Sequence, residues 1–152
     1  MQKLKFLNTK EIKEIRKKIE EQWGCDFISD NVFVLSSKNK IYLLSKDVEK
    51  INFKNMRISS AGLYFAEISE NGELRLSIEG AQLIGRDATK NVVNLTTDQV
   101  KNWLRGNDLD INTGKNCFVI LKHGSDFLGT GRAKQNKIIN FIPKTRRILS
   151  DD

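Results

Sequence analysis

Cys117-Phe118-Val119-Ile120-Leu121-Lys122-His123-Gly124-Ser125-Asp126-Phe127-Leu128-Gly129-Thr130-Gly131-Arg132-Ala133 is the stretch on which the fold turns. An apolar run, Cys117 to Lys122, stops at a polar turn holding Gly124, and a second run, Phe127 to Arg132, carries Gly129 and Gly131 inside it. Two β-rich runs across a short glycine-containing turn predict a hairpin. Glycine inside a strand marks close backbone packing or the bend of a barrel. Downstream, Lys137 to Ile142 reads as a third strand; upstream, Val92 to Leu95 reads as a strand, and Thr96 or Thr97 caps a helix through Val100, Trp103 and Leu104. Arg105 to Gly114 is a polar loop. Short strands at even spacing, without further long helices, predict a small barrel or pseudobarrel.

Charge concentrates in the same region. Residues 113–149 hold eight basic residues against one acid, Asp126, a balance of +7 that equals the net charge of all 152 residues. Residues 1–88 carry +2 and residues 89–152 carry +5, so a boundary is expected near residue 88, with no long linker. Positive charge on short apolar segments, not on a tail, points to a folded surface that meets a polyanion. The alternative for any lysine-rich chain is a solvated face with no partner.

The first half reads as α+β. Ile12, Ile15, Ile19 and Trp23 recur at spacings of three, four and four within residues 10–23 and form one stripe of an amphipathic helix. Asn8 or Thr9 can cap it, with Glu11 placed for a capping box from Asn8, and Gly24 is a plausible stop. Val32–Leu35 and Ile41–Leu44 flank a polar turn and predict a hairpin. A helical turn over Lys46–Ile51, a strand at Met56–Ile58 and a strand at Leu63–Ile68 are expected next. Asn71-Gly72 marks a tight turn into a strand on which Leu74, Leu76 and Ile78 alternate. Gly80 to Ile84 then reads as a short helix ended by Gly85.

Several classes of chemistry find no support. Cys25 and Cys117 stand 92 positions apart, and His123 is the single histidine, so no metal set and no disulfide framework is expected. There is no phosphate-binding glycine loop before a Gly-Lys-Ser/Thr triplet, no nucleophile elbow and no H-E-x-x-H. Asp108 and Asp110 lie on a polar loop, where turn-forming aspartates outnumber catalytic ones. Asp126 beside His123 has no nucleophile of the right kind near it in sequence. A stand-alone enzyme is therefore not expected, nor any cofactor or metal. No stretch approaches the roughly 20 apolar residues of a membrane span, and Met1–Leu7 lacks the apolar region of a secretory signal. A cytoplasmic protein without a membrane partner is expected.

Residues 117–133 resemble the core of a PUA domain, the module named for pseudouridine synthases and archaeosine transglycosylases. Its hallmark is a strand, a polar turn, and a glycine strand of the form L-G-x-G followed by Lys or Arg, here Leu128 to Arg132. Ile138 to Arg147 resembles the closing strand and basic tail in PUA domains of NOP/Sun-type RNA cytosine-5 methyltransferases, but the catalytic cysteines and cofactor-binding unit of those enzymes are absent. The chain from about residue 38 also resembles two-domain ribosome-biogenesis factors of the Nip family, through Lys38–Ser45, Gly62–Ile68 with Leu74–Ile78, and Val92–Leu95 with Trp103–Asn107. The resemblance implies an N-terminal pre-PUA domain over 1–88 and a C-terminal PUA pseudobarrel over 89–152. It implies non-catalytic binding of structured RNA, rRNA or pre-rRNA, in ribosome biogenesis or rRNA modification. Two other readings stay open: an accessory subunit that delivers RNA to a separate methyltransferase, and a protein–protein adaptor whose basic face meets an acidic partner; the protein partners these imply are an RNA methyltransferase or pre-ribosomal proteins.

The candidate RNA-binding residues are Arg105, Lys115, Lys122, Arg132, Lys134, Lys144, Arg146 and Arg147. Arg132 and Lys134 occupy alternate strand positions and are expected on one face. Lys144, Arg146 and Arg147 follow the last strand, where long side chains can reach phosphates. Phe118, Phe127, Phe141 and Trp103 are expected in the core, which favours recognition of backbone and shape over base stacking.

Overall fold

The computed structural model describes residues 4–46 and 62–149. The helical turn expected over Lys46–Ile51 beyond its first residue, and the strand at Met56–Ile58, lie outside the described residues. Helix α1 (Thr9–Trp23) follows the predicted stripe. Asn8 Oδ1 accepts from the Glu11 amide at 2.9 Å, and Glu11 Oε1 accepts from the Asn8 amide at 3.1 Å, a complete capping box. Gly24 ends the helix in the left-handed conformation, φ 68°, its amide donating to the Glu20 carbonyl.

Five antiparallel strands form the first sheet in chain order: β1 (Leu4–Phe6), β2 (Val32–Ser36), β3 (Lys40–Leu44), β4 (Leu63–Ile68) and β5 (Leu74–Leu76). Phe33, Ile41 and Leu43 face α1 and bury Ile15, Ile19 and Trp23, whereas Val34, Tyr42 and Leu44 pack on the other face with Leu4, Val32 and Tyr64. Strand β1 was not expected; its three residues pair with β2 but are largely exposed, so no alternation betrays them. Ile78 does not continue β5. Ser77 breaks the strand by donating its hydroxyl to the Tyr64 carbonyl (2.6 Å) and accepting from the Gly80 amide (2.9 Å), which starts helix α2 (Ile78–Gly85).

The second sheet runs β6 (Val92–Asn94), β7 (Cys117–His123), β8 (Asp126–Lys134) and β9 (Lys137–Ile139). β6 is parallel to β7, reached through helix α3 (Thr97–Leu104) with a Thr96/Gln99 capping box; the other pairs are antiparallel. A register shift at Leu121/Lys122 sits opposite Gly129, whose φ of 118° requires glycine. At Gly131 a Cβ would lie 2.5 Å from Ile138 and 2.8 Å from the Trp103 ring, which is why the second glycine of the strand is needed. The strand expected over Lys137–Ile142 stops at Ile139 because Asn140 is drawn away: its amide donates to Asp108 Oδ1 (2.8 Å) and its side chain to the Trp103 and Asn107 carbonyls.

Strand β7 serves two cores. Phe118 and Ile120 join the core of α1 and the first sheet; Val119 and Leu121 join a second core with Trp103, Leu109, Ala133 and Ile138. Helix α2 lies between the sheets. A Cβ on Gly80 would stand 2.1 Å from the Phe65 carbonyl oxygen, and one on Gly85 2.3 Å from the Phe127 ring. In a helix interior Gly→Ala ordinarily adds up to about 1 kcal/mol of stability. Here Gly80→Ala is expected to lower stability by about 1–3 kcal/mol through overpacking against backbone, read as a fall of several degrees in Tm.

Candidate nucleic-acid interface

The end of α2, residues 86–91, strand β6 and the β7–β8 turn enclose an open groove of about 1180 Å³. Its walls are fixed from beneath. The Thr89 amide and hydroxyl donate to the Trp23 and Gly24 carbonyls (2.8 and 2.7 Å), tying this segment to the end of α1. Asn91, at φ 58°, accepts from the Ile120 amide through its carbonyl (2.9 Å). The parallel register then sets Asn94 opposite Lys122.

Four cations line the groove, Arg86, Lys90, Lys115 and Lys122, with Asp126 the acid among its lining residues. Lys115 Nζ donates to Asn91 Oδ1 at 3.0 Å, and Lys122 Nζ lies 5.7 Å from the Phe127 ring centroid, a ring seated on Gly85. The structure thus joins two of the candidate residues to two that the sequence reading missed. Arg86 and Lys90 flank the expected boundary, one in the half of mixed charge. The anchoring of Thr89 to the end of α1 and the pairing of β6 with β7 hold this segment beside Lys115 and Lys122, and no local motif announces it. Lys134 and Lys115 also line a shallower basin with Asn112, Asn116 and Gln135.

Three of the candidate arginines make contacts within the protein. Arg132 shares alternate positions of β8 with Lys134, but its side chain is only 19% exposed, paired with Glu73 at 3.2 Å. It also donates to Asn116 Oδ1 (2.9 Å) and lies 4.8 Å over the Phe118 ring. Arg146 pairs with Glu79 at 2.5 Å. Arg147 Nε donates to the Ile142 carbonyl (2.9 Å), and its side chain covers Gly106, where a Cβ would stand 2.4 Å from Cδ. Arg105 is half-buried at the end of α3, and Lys144 is exposed in the short 3-10 turn Lys144–Arg146. Arg132 and Arg147 therefore hold parts of the fold together, Arg146 is tied to Glu79 while itself exposed, and Lys115, Lys134 and Lys144 stand at the surface.

Among the described residues no group of three or more His, Cys, Asp or Glu could hold a metal ion. Burial, with Asp87 and Asp26 nearby, pushes the Cys25 thiol up, and burial does the same to Cys117, so neither is a thiolate nucleophile at neutral pH. His123 Nδ1 sits 2.9 Å from the Leu95 carbonyl, which can only accept, so that nitrogen carries a proton. The groove offers point charges and amides, the chemistry of phosphate contact.

Two family models match the chain in turn, a pre-PUA domain followed by a PUA domain. The family "NIP7/UPF0113, pre-PUA domain" matches residues 4–78, and "Methyltransferase RsmF PUA domain" matches residues 90–148. Among curated proteins the chain is similar to Ribosomal RNA small subunit methyltransferase F of Vibrio parahaemolyticus, 26% identical over 142 residues, covering 89% of this chain and 29% of that protein. The protein of the same name from Vibrio vulnificus is 27% identical over 136 residues, covering 89% of this chain and 28% of its own length. The chain thus spans less than a third of these relatives. Among solved structures, a conserved PUA domain protein from Thermoplasma acidophilum shares the fold at TM-score 0.58 and 17% identity, over 92% of this chain and 94% of that one. No helix among the described residues is long and apolar enough to cross a membrane.

Arg132→Glu is expected to destabilise the protein by about 1–3 kcal/mol, because it sets a carboxylate beside Glu73 and removes the cation from Phe118. Lys134→Glu, two positions along the same face and exposed, is expected to stay within about 0.5 kcal/mol. Paired urea denaturation curves check the contrast.

Proposed function

We propose that this chain binds structured RNA, rRNA or pre-rRNA, through the basic groove and the lysines around it, without catalysing a reaction itself. The observation that carries the proposal is the convergence of Arg86, Lys90, Lys115 and Lys122 on one open groove of about 1180 Å³. An open groove lined by four cations suits a phosphate backbone, and its one lining ring, Phe127, is half-buried against Gly85 beneath the Lys122 ammonium, which favours recognition of shape over base stacking. Lys134, Lys144 and Arg105 extend the contact surface, while Arg132, Arg146 and Arg147 act mainly by fixing it. The division into residues 1–88 and 89–152 belongs to the same proposal, with the second unit supplying most of the RNA contacts and the first contributing Arg86. Its support is the charge shift near residue 88 and the family matches that end at 78 and begin at 90. The likeness to proteins named as rRNA methyltransferases supports the choice of rRNA. It also supports a second reading, in which this module presents RNA to a methyltransferase. A cytoplasmic location fits both.

Binding is expected to be electrostatic. With about four or five phosphate contacts at roughly 0.7–0.9 counterions each, the slope of log affinity against log salt is expected near −3 to −4. Glutamate at Arg86, Lys90, Lys115 and Lys122 together is expected to lower affinity for a structured rRNA fragment by orders of magnitude. Glutamate at Lys13 and Lys17, exposed on α1, is expected to leave it within about twofold. Filter binding across a salt series measures both, and a salt-independent affinity or an unaffected quadruple variant overturns the proposal.

A further inference from the structure

A second and smaller cavity, about 150 Å³, lies where the two sheets meet, away from the groove. Ile78, Phe141 and Ile142 give it apolar walls; Tyr64 and Thr130 add hydroxyls, and Glu79 is the acid among three cations, Lys40, Arg75 and Arg146. Thr130 is 5% exposed, yet its hydroxyl has no hydrogen-bond partner among the described residues. An unpaired buried hydroxyl beside a cavity costs free energy that a ligand atom reaching it would recover. Burial pushes the Tyr64 phenol up to about 12, so it remains a protonated donor at neutral pH. Apolar walls with a few convergent polar groups are the composition of a small-ligand site.

Size and polarity narrow the ligand. A cavity of about 150 Å³ takes a single six-membered ring, as a benzene-binding cavity of that volume does; a purine is larger. Arg146 and Glu79, paired at 2.5 Å, set guanidinium donors beside a carboxylate acceptor. Cytosine presents the complement, an N4 amino donor next to the N3 and O2 acceptors, and a carboxylate is a suited partner for N4. Uracil reverses two of those three groups and would bring its O4 against the carboxylate. We propose that this seam cavity is a specificity site that receives one unstacked cytosine from the bound RNA. The inference rests on the RNA-binding reading above, and adds to it a preference that phosphate contacts alone do not supply.

The test uses the full chain and three hairpin RNAs that differ in one position: fully paired, with a bulged cytosine, and with a bulged uracil. The bulged-cytosine hairpin is expected to bind about tenfold tighter than the other two. Thr130→Val keeps the side-chain volume and removes the hydroxyl; Glu79→Gln removes the carboxylate. Each is expected to reduce the cytosine-to-uracil ratio to within about twofold of unity while the fully paired hairpin still binds. The quadruple groove variant is expected to weaken all three RNAs by a similar factor and keep the ratio. Equal affinity of the wild-type protein for the three hairpins overturns the cytosine site and leaves the RNA-binding reading standing. So does a ratio that persists in both cavity variants, since recognition then lies elsewhere. Failure of the wild-type protein to bind any of the three overturns both.

Discussion

The alternation of one strand holds this molecule together. In β7, Phe118 and Ile120 point into the core beneath α1 while Val119 and Leu121 point into the core beneath α3. A strand buried on both faces cannot carry a polar residue at either parity, which accounts for the unbroken apolar run from Phe118 to Leu121. It also fixes the relation of the two sheets, because a slip by one residue would exchange every side chain between the cores. The groove depends on that register. Lys122 follows the apolar run at the point where β7 leaves the interior, and β6 must pair alongside it for Lys90 to approach.

Helix α2 completes the joint. Its two glycines allow backbone-to-backbone contact with β4 on one side and ring contact with Phe127 on the other. Three arginines then fasten the seam at its rim. Arg132 reaches Glu73, Arg146 reaches Glu79, and Arg75, paired with Glu67 at 2.8 Å, lies 4.5 Å over Phe141. Arg132 combines its carboxylate with the Phe118 face and Arg75 with the Phe141 face, a use for which a lysine ammonium is less suited, whereas Arg146 makes an ion pair with Glu79. Arg132 and Arg75 thus belong to the scaffold, whereas Arg86, Lys90, Lys115, Lys134 and Lys144 stand toward solvent. Formal charge on its own conceals that separation.

Much of the architecture was legible because its signals are local. The capping box at Asn8 and Glu11, the Asn71-Gly72 turn and the glycine pattern from Leu128 to Arg132 each state their own geometry. What was not legible depends on partners distant in sequence. Ser77 ends a strand whose alternation would have continued to Ile78, because the Tyr64 carbonyl takes its hydroxyl. Asn140 ends β9 because Trp103, Asn107 and Asp108 are in reach. Strand β1 has neither apolar alternation nor a turn to announce it. Of the cations that line the candidate groove, charge density marked Lys115 and Lys122 but not Arg86 and Lys90, and the commitment of Arg132 to Glu73 follows from a hairpin 59 positions away.

Each of the two cores that meet at β7 contains one indole. Trp23 and Trp103, both fully buried, are the chain's two tryptophans, and neither ring N–H has a partner among the described residues. Their fluorescence therefore reports separately on the two sides of β7. If the shared strand makes the molecule a single cooperative unit, single-tryptophan versions will lose emission at one common denaturant concentration. If the sides can part, the two indoles will record different midpoints, and the difference will measure how much of the stability resides in the joint.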